Sequence, residues 1–403
     1  MVRPVNPDRA IADIEARRGA LIELTAALVA APSANPPGNT CDAAQILSAF
    51  LTAEGIGHET LSAVADKANV VATVHGAGSG PHVVLCGHLD TILPGDAADW
   101  SVDLYALTAR GPDLLGLGVG NMKGGLAALA MALAWLHGCR AEWGGRVTLA
   151  AVADETVFGP HGAEWLLATR PELRGDVLIC GEGPGDMALA VAEKGVLWIA
   201  LQATAPAGQG MLTTVGASAT VRLAQALVAL DALGDVHAMP PAGMECLSDY
   251  AGAHGLRLSV NAGTLQGGGF ISQRPGVVAA EIDLRVPPGL TLAEVEARVD
   301  AACAGISGVS WRRIKGWEPN WSAPDSATAV AVSLAAEQVR GTAPLPVVRL
   351  PGSDASRWRA LGVSAVCYGP QPTPASGPDD YVRADDLVDC AKIYALAARV
   401  CLL

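Results

Sequence analysis

A chain of 403 residues is about twice the length of a typical domain, so two or three domains with substantial cores are expected. Hydrophobic residues make up 51% and charged residues 17%, below the roughly 25% charged share usual for soluble domains, which excludes a disordered chain and a solvated coiled coil. With 27 Lys and Arg against 40 Asp and Glu, the net charge of -13 argues against nucleic acid and against an anionic membrane surface, leaving small molecules or other protein chains as partners.

The N-terminus, MVRPVNPDRAIADIEARR, mixes acids and arginines without an apolar stretch and does not read as a secretory leader. Helical periodicity runs from Ile11 to Val29, and Val83–Cys86 reads as a buried strand. Gly124 to His137 is an apolar helix whose membrane-like part, Gly124 to Trp135, is too short to span a bilayer. A strand at Val147–Val152, a helix from Pro160 to Ala168 and a strand at Val177–Cys180 follow. From about Gly195 the texture changes to a strand at Val196–Ala203, a helix at Ala217–Leu233, a glycine-rich stretch Gly263–Phe270 and a strand at Val277–Val286. A helix then opens on Thr291-Leu-Ala-Glu294, a capping-box spacing. From roughly residue 310, strand-and-turn segments, the strand Ala365–Tyr368 and a final helix, Ala384 to Val400, complete the first domain. The fold class is therefore α/β, a mixed sheet flanked by helices, with an inserted α+β domain. Its expected divisions are residues 1–194, 195–310 and 311–403. Nine scattered cysteines without a CxxC pair point to a reducing compartment, the cytoplasm, with mostly buried thiols.

In open α/β sheets ligands bind beyond the carboxyl ends of the strands. The residues there form a set: Gly87-His-Leu-Asp-Thr91 after the first strand, Asp154-Glu-Thr156 after the second, Gly181-Glu182 after the third. One histidine and several carboxylates converge on one crevice.

These residues resemble the M20 zinc aminoacylases and carboxypeptidases, the family of acetylornithine deacetylase, succinyl-diaminopimelate desuccinylase and glutamate carboxypeptidase. The resemblance spans nearly the whole chain. It is carried in order by Ser33-Ala-Asn-Pro-Pro-Gly38, Gly87-His-Leu-Asp-Thr91, Gly116-Leu-Gly-Val-Gly-Asn-Met-Lys-Gly-Gly125, Ala153-Asp-Glu-Thr156, Gly181-Glu182, Asp283-Leu-Arg285, Gly352-Ser-Asp-Ala355 and Gly377-Pro-Asp-Asp380. It implies a catalytic domain interrupted by a dimerising lid, a homodimer, and two zinc ions bridged by an aspartate. By that resemblance His88 is a zinc ligand, Asp90 orients it, Glu155 is the general base and Glu182 is a carboxylate ligand. The bridging aspartate, however, falls on Asn121, the second glutamate ligand on Thr156 and the late histidine on Ser376. The lid histidine falls on Gln209, and the asparagine expected before Pro275 is Ser272. Arg285 keeps the arginine that helps hold a substrate carboxylate, and Ser353 matches a Thr or Ser that the family uses structurally.

Three of five ligand positions are thus changed to groups that bind zinc poorly. The reading that follows is an enzyme of M20 type acting on an N-acyl amino acid or peptide-like substrate with no cofactor. Glu155 and Asp90 form its catalytic set, while Arg285, Gln209, Asn121, Thr156, Ser353 and Ser376 face substrate. The reaction is a metal-independent hydrolysis or a cyclisation, elimination or acyl transfer. A mono-zinc amidohydrolase on His88 and Glu182 is the alternative, and a non-catalytic binding homologue the second. His161 sits where a helix begins and is expected to cap it or face solvent. No covalent Ser or Cys nucleophile is evident, since Cys86 and Cys180 lie within apolar strands.

Overall fold

The structure, a computed structural model, describes residues 7–247, 254–372 and 377–403. It divides into two compact units. The first comprises residues up to 191, 322–347 and 353–403; the second comprises Ala192–Trp321 and Val348–Gly352.

The first unit is built on a mixed sheet in the order His58–Ser62, Ala68–His75, Arg146–Val152, His82–His88, Val177–Cys180, Ser364–Cys367 and Leu189–Glu193. The four strands from Arg146–Val152 to Ser364–Cys367 run parallel. They are the four apolar runs seen in the sequence, and each is buried along nearly its whole length, as strands covered on both faces must be. The helix Gly124–Gly138 is apolar all round and buried from Gly124 to Leu136 because it packs on the strands His82–His88 and Arg146–Val152 under the last helix, Ala384–Cys401. Together with the preceding turn, Val119–Gly138 is long and apolar enough to cross a membrane, but it is the buried core helix of this unit.

Two glycines set how closely that helix approaches. A Cβ on Gly125 would stand 2.3 Å from the Gly181 carbonyl oxygen, and one on Gly181 would stand 2.9 Å from Met122 Cε. Strand alternation does the rest. With Gly87 turned toward the helix, Cys86 and His88 share the opposite face.

At the start of this helix Lys123 is wholly buried, its Nζ donating to the Ala31 carbonyl at 2.6 Å. Burial pulls its pKa down to about 7, against the attraction of Asp90. The folded value lies below the unfolded one, so between pH 7 and 10 the unfolded chain holds the extra proton and folding is favoured as pH rises. Wild-type stability should accordingly increase across this window by up to about 1.4 kcal/mol per pH unit from this group alone. Lys123→Met should flatten that rise, as read from urea midpoints at pH 7, 8 and 9; parallel curves for the two proteins would refute it.

The first helical run divides into Pro7–Glu15 and Arg18–Ala30. The break lets each half follow a different neighbour: the first packs on Ala384–Cys401, the second on Cys41–Ala53. The helix expected from Pro160 begins at Ala163, because His161 is held in the preceding turn by its N–H on Asp154 Oδ2 and its carbonyl on Asn69.

The second unit is a four-stranded antiparallel sheet in the order Ser259–Gly267, Val277–Val286, Gly195–Thr204 and Val309–Trp317, packed against the helices Ala219–Asp231 and Leu292–Cys303. Alternate residues Leu197, Ile199 and Leu201 and Val278, Ala280, Ile282 and Leu284 meet Leu223, Ala226, Leu230, Val295 and Val299 in its core. The Thr291 and Glu294 capping box is formed in both directions. The unit runs past the boundary expected at residue 310. Val309–Trp317, read as part of the return to the first domain, pairs with Gly195–Thr204 instead. It carries Arg312, Arg313 and Lys315 because it is an edge strand, where charge rather than apolar alternation is the rule. The glycine-rich stretch at 263–270 is mostly the other edge strand, Ser259–Gly267.

Candidate functional site

The carboxyl ends of the parallel strands bring His88, Asp154, Glu155 and Glu182 together, as the strand-end rule leads one to expect. His88 is fully buried. Its Nδ1 lies 2.8 Å from the main-chain oxygen of Asp90, and its Nε2 lies 3.2 Å from Asn121 Oδ1 and 3.6 Å from both Glu155 Oε2 and Glu182 Oε1. Burial opposes charging this imidazole, but Glu155, Glu182 and Asp90 outweigh it and hold the ring's pKa well above its usual value. Burial raises the Glu155 carboxyl well above the ordinary range, and the neighbouring charges of Glu182 and Asp354 add to the effect. Both shifts run the same way: the cluster favours the charged imidazole of His88 and the neutral carboxyl of Glu155 relative to the same groups in water.

Asp90 does not face the reacting space. Its carboxylate is buried and filled by Asn35 Nδ2 at 2.8 Å, Thr156 Oγ1 at 2.8 Å, and the backbone N–H groups of Thr156 at 3.1 Å and Glu155 at 3.2 Å. Expected to orient His88 and counted in the catalytic set, it has Oδ1 3.6 Å from His88 Nδ1 and its hydrogen bonds on the turn that presents Glu155, so it acts on both as a positioning residue. Asn35 reaches Asp90 because the loop Ser33–Gly38 is laid beside Leu89–Thr91 by main-chain bonds and by Ser33 Oγ on the Leu89 carbonyl. Lys67 closes the network from below, with Nζ at 3.0 Å from Asp154 Oδ1 and 2.6 Å from the Pro37 carbonyl. On the opposite side Asp380 accepts the Gly120 N–H at 3.2 Å and so anchors the glycine-rich loop carrying Asn121; burial pushes its carboxyl up to about 7.

The other expected site residues separate. Asn121 is in the cluster, its Oδ1 also accepting from Gln371 Nε2 at 3.2 Å. Thr156 is beside it but commits its hydroxyl to Asp90. Ser353 is buried, its hydroxyl 3.3 Å from Cys367 Sγ and accepting from the Ala355 N–H, so it ties a turn together rather than facing a substrate. Gln209 and Arg285 belong to the second unit. Gln209 is exposed on a two-residue strand paired with Gln273–Arg274, and Arg285 Nε donates to both oxygens of Asp283 at 2.9 Å. Ser376 lies outside the described residues.

Gln371, Asp354, Lys67, Asn35 and Asp380 were not singled out from the sequence as site residues. Gln371 follows Gly369 and Pro370 directly after the strand Ser364–Cys367, so the strand-end rule could have found it. Asp354 stood in a quoted motif without a role. Lys67 carries no sequence signal, since its importance comes from a fold that buries it.

Ligand atoms of His88, Glu155 and Glu182 lie within 4.8 Å of one another, a donor set that fits a single ion. The described residues offer fewer donors for a second ion. Thr156 offers only a hydroxyl already bonded to Asp90, Asn121 offers a neutral amide, and no second such group occurs among the described residues.

Residues 84–400 match the family model described as Peptidase family M20/M25/M40. A succinyl-diaminopimelate desuccinylase of Stenotrophomonas maltophilia (strain K279a) is 27% identical over 389 residues, covering 93% of this chain and 97% of the relative. Human carnosine dipeptidase 1 shares the fold with a TM-score of 0.80 at 15% identity, over 99% of this chain and 100% of that one. Sso-CP2, an M20 family metallo-carboxypeptidase from Sulfolobus solfataricus, does so with a TM-score of 0.79 at 16% identity, over 95% and 99% of the two chains.

Proposed function

The chain belongs to peptidase family M20/M25/M40, a family of amidohydrolases and peptidases, and from that membership we propose a metal-independent member in which the His88, Glu155 and Glu182 cluster does the chemistry. The substrate class is that of an N-acyl amino acid or small peptide. The observation that carries this reading is the engagement of the changed positions. Thr156 Oγ1 is bonded to Asp90 at 2.8 Å, and Asn121 Oδ1 is bonded to Gln371 and to His88 at 3.2 Å, so these side chains serve the protein's own hydrogen-bond network.

Two carboxyl groups of unlike protonation can divide the work of amide hydrolysis. Glu182 as carboxylate takes a proton from the attacking water as the C–O bond forms. The His88 imidazolium steadies the oxyanion. Protonated Glu155 then gives its proton to the nitrogen as the C–N bond breaks, and the proton taken up by Glu182 passes to Glu155, which restores both groups. The balance is one water consumed, with one carboxyl and one amine released. The same groups could serve cyclisation, elimination or acyl transfer without a net water.

The second reading, favoured by the 4.8 Å donor cluster, is a single-zinc amidohydrolase with His88, Glu182 and Glu155 as ligands. That ion would supply an acidified water, with a pKa lowered from 15.7 to roughly 7. Elemental analysis of the purified protein, with turnover of N-succinyl and N-acetyl amino acids and dipeptides measured with and without a chelator, separates the two. Zinc well below one equivalent and chelator-resistant turnover are expected; one equivalent of zinc with turnover abolished by chelation would replace the first reading with the second.

The wider setting belongs to the same proposal. A reducing, cytoplasmic location suits nine free thiols. A homodimer through the second unit suits the exposed apolar side chains of Met211, Val215 and Ile271, which are 87%, 106% and 95% accessible.

A further inference from the structure

The second unit carries a bowl of about 350 Å³ on the face of its sheet turned away from its two helices. Strand alternation sends Leu197, Ile199 and Leu201 into the core and puts Trp198, Ala200 and Gln202 on this open face, with Ala279, Glu281 and Asp283 beside them on Val277–Val286. The bowl exists because Ala200 and Ala279 form its floor, whereas the adjoining row carries the larger Trp198 and Asp283.

Two opposite charges stand on either side of that floor. Register places Glu281 on one side of Ala200 and Arg312 on the other, two strand spacings or about 10 Å apart. The neighbouring charges of this face are engaged: Asp283 accepts from Trp198 Nε1 at 2.9 Å and from Arg285, and Lys315 Nζ lies 5.7 Å from the centre of the Trp198 ring. Among the described residues the Glu281 carboxylate and the Arg312 guanidinium have no such partner. A free α-amino acid fits between them. Its ammonium and carboxylate lie about 3 Å apart by standard bond lengths, and a charge-assisted bond of about 2.8 Å at each end takes up the rest.

We infer that this bowl binds a free α-amino acid with a neutral polar side chain. The carboxylate goes to Arg312, whose planar fork matches it, and the ammonium goes to Glu281. The side chain goes to Gln202, Gln266 and Ser310, which line the same bowl and carry no charge. The site is made by the second unit alone. It takes nothing from the His88, Glu155 and Glu182 cluster of the first unit, so it stands independently of the chemistry proposed there.

The test is calorimetric titration of the full chain at pH 7 with L-glutamine, with glutaramic acid, which lacks its ammonium, and with γ-aminobutyramide, which lacks its carboxylate. Each analogue should bind about 3- to 10-fold less tightly than L-glutamine. Glu281 and Arg312 are exposed, so Glu281→Gln and Arg312→Gln should both fold. Glu281→Gln should weaken L-glutamine by a similar factor and leave glutaramic acid unchanged; Arg312→Gln should weaken L-glutamine and leave γ-aminobutyramide unchanged. No saturable binding of L-glutamine up to about 10 mM would overturn the inference. So would an affinity for L-glutamine that is unaltered in both variants, because the amino acid would then be held elsewhere, the strand-end cluster included. A change in sedimentation in either variant with that affinity unaltered would likewise overturn it, and would make the bowl a contact between copies of the chain.

Discussion

Glu155→Gln is expected to lower turnover of whichever N-acyl amino acid or dipeptide the enzyme accepts by about 10²- to 10⁴-fold, the usual contribution of a positioned acid or base. The same change should raise the melting temperature. Glu155 is buried beside Glu182 and Asp354, and its folded pKa lies well above the ordinary value. Above pH 4.5 the unfolded chain gives up this proton while the folded chain retains it, so the carboxyl costs stability increasingly as pH rises toward its folded pKa. An amide of the same shape carries no such cost. The wild-type rate profile should also show a pH-dependent limb that the variant lacks. Undiminished turnover in Glu155→Gln, with folding intact, would remove Glu155 from the chemistry and favour the binding homologue. Loss of activity with loss of stability would mean instead that the carboxyl serves the fold.

Lys67→Met should destabilise the first unit by about 3–5 kcal/mol at pH 7, the usual consequence of stripping one partner from a buried ion pair. Lys67 Nζ and Asp154 Oδ1 are 3.0 Å apart, with side chains 9% and 5% exposed. Burial alone would raise the Asp154 carboxyl, but hydrogen bonds from Lys67 and Asn35 and the lysine's charge outweigh it and hold its pKa below 3.8. A depressed folded pKa contributes stability that is present above the unfolded value and lost as pH falls through the folded one. The gap between Lys67→Met and wild type should therefore be full at pH 7 and close on acidification below pH 4. Urea unfolding at pH 7 and pH 3.5 reads both ends, and a difference below about 1 kcal/mol at pH 7 would show that the pair adds little. Because Asn35 bridges Asp154 and Asp90, at 3.2 and 2.8 Å, a secondary loss of activity is expected through slackening of the Glu155 turn.

The legible part of the fold was the part written by periodicity. The four parallel strands were readable because strands covered on both faces need unbroken apolar runs, and the Thr291 capping box was readable because its spacing is local. The edge strand Val309–Trp317 was not, since an edge strand keeps its charges and carries no alternating apolar signal. The break at Ala16–Arg17 was hidden in the same way: an uninterrupted helical period says nothing about two halves packing on different neighbours.

At the site, the sequence by itself determined which chemical groups are present: His88, Glu155 and Glu182 after the parallel strands, and neutral Asn121 and Thr156 at positions where the resemblance implies carboxylates. It could not determine what those neutral groups do, because that depends on which atoms meet across some hundreds of residues. Only the tertiary structure decided that Thr156 serves Asp90, that Asp90 is filled by four donors and stands behind the reacting groups, and that Gln371 reaches Asn121. The protonation of the cluster was likewise a tertiary decision. A carboxyl's pKa is set by the water it loses and the charges it gains on burial, and neither is a property of its place in the chain.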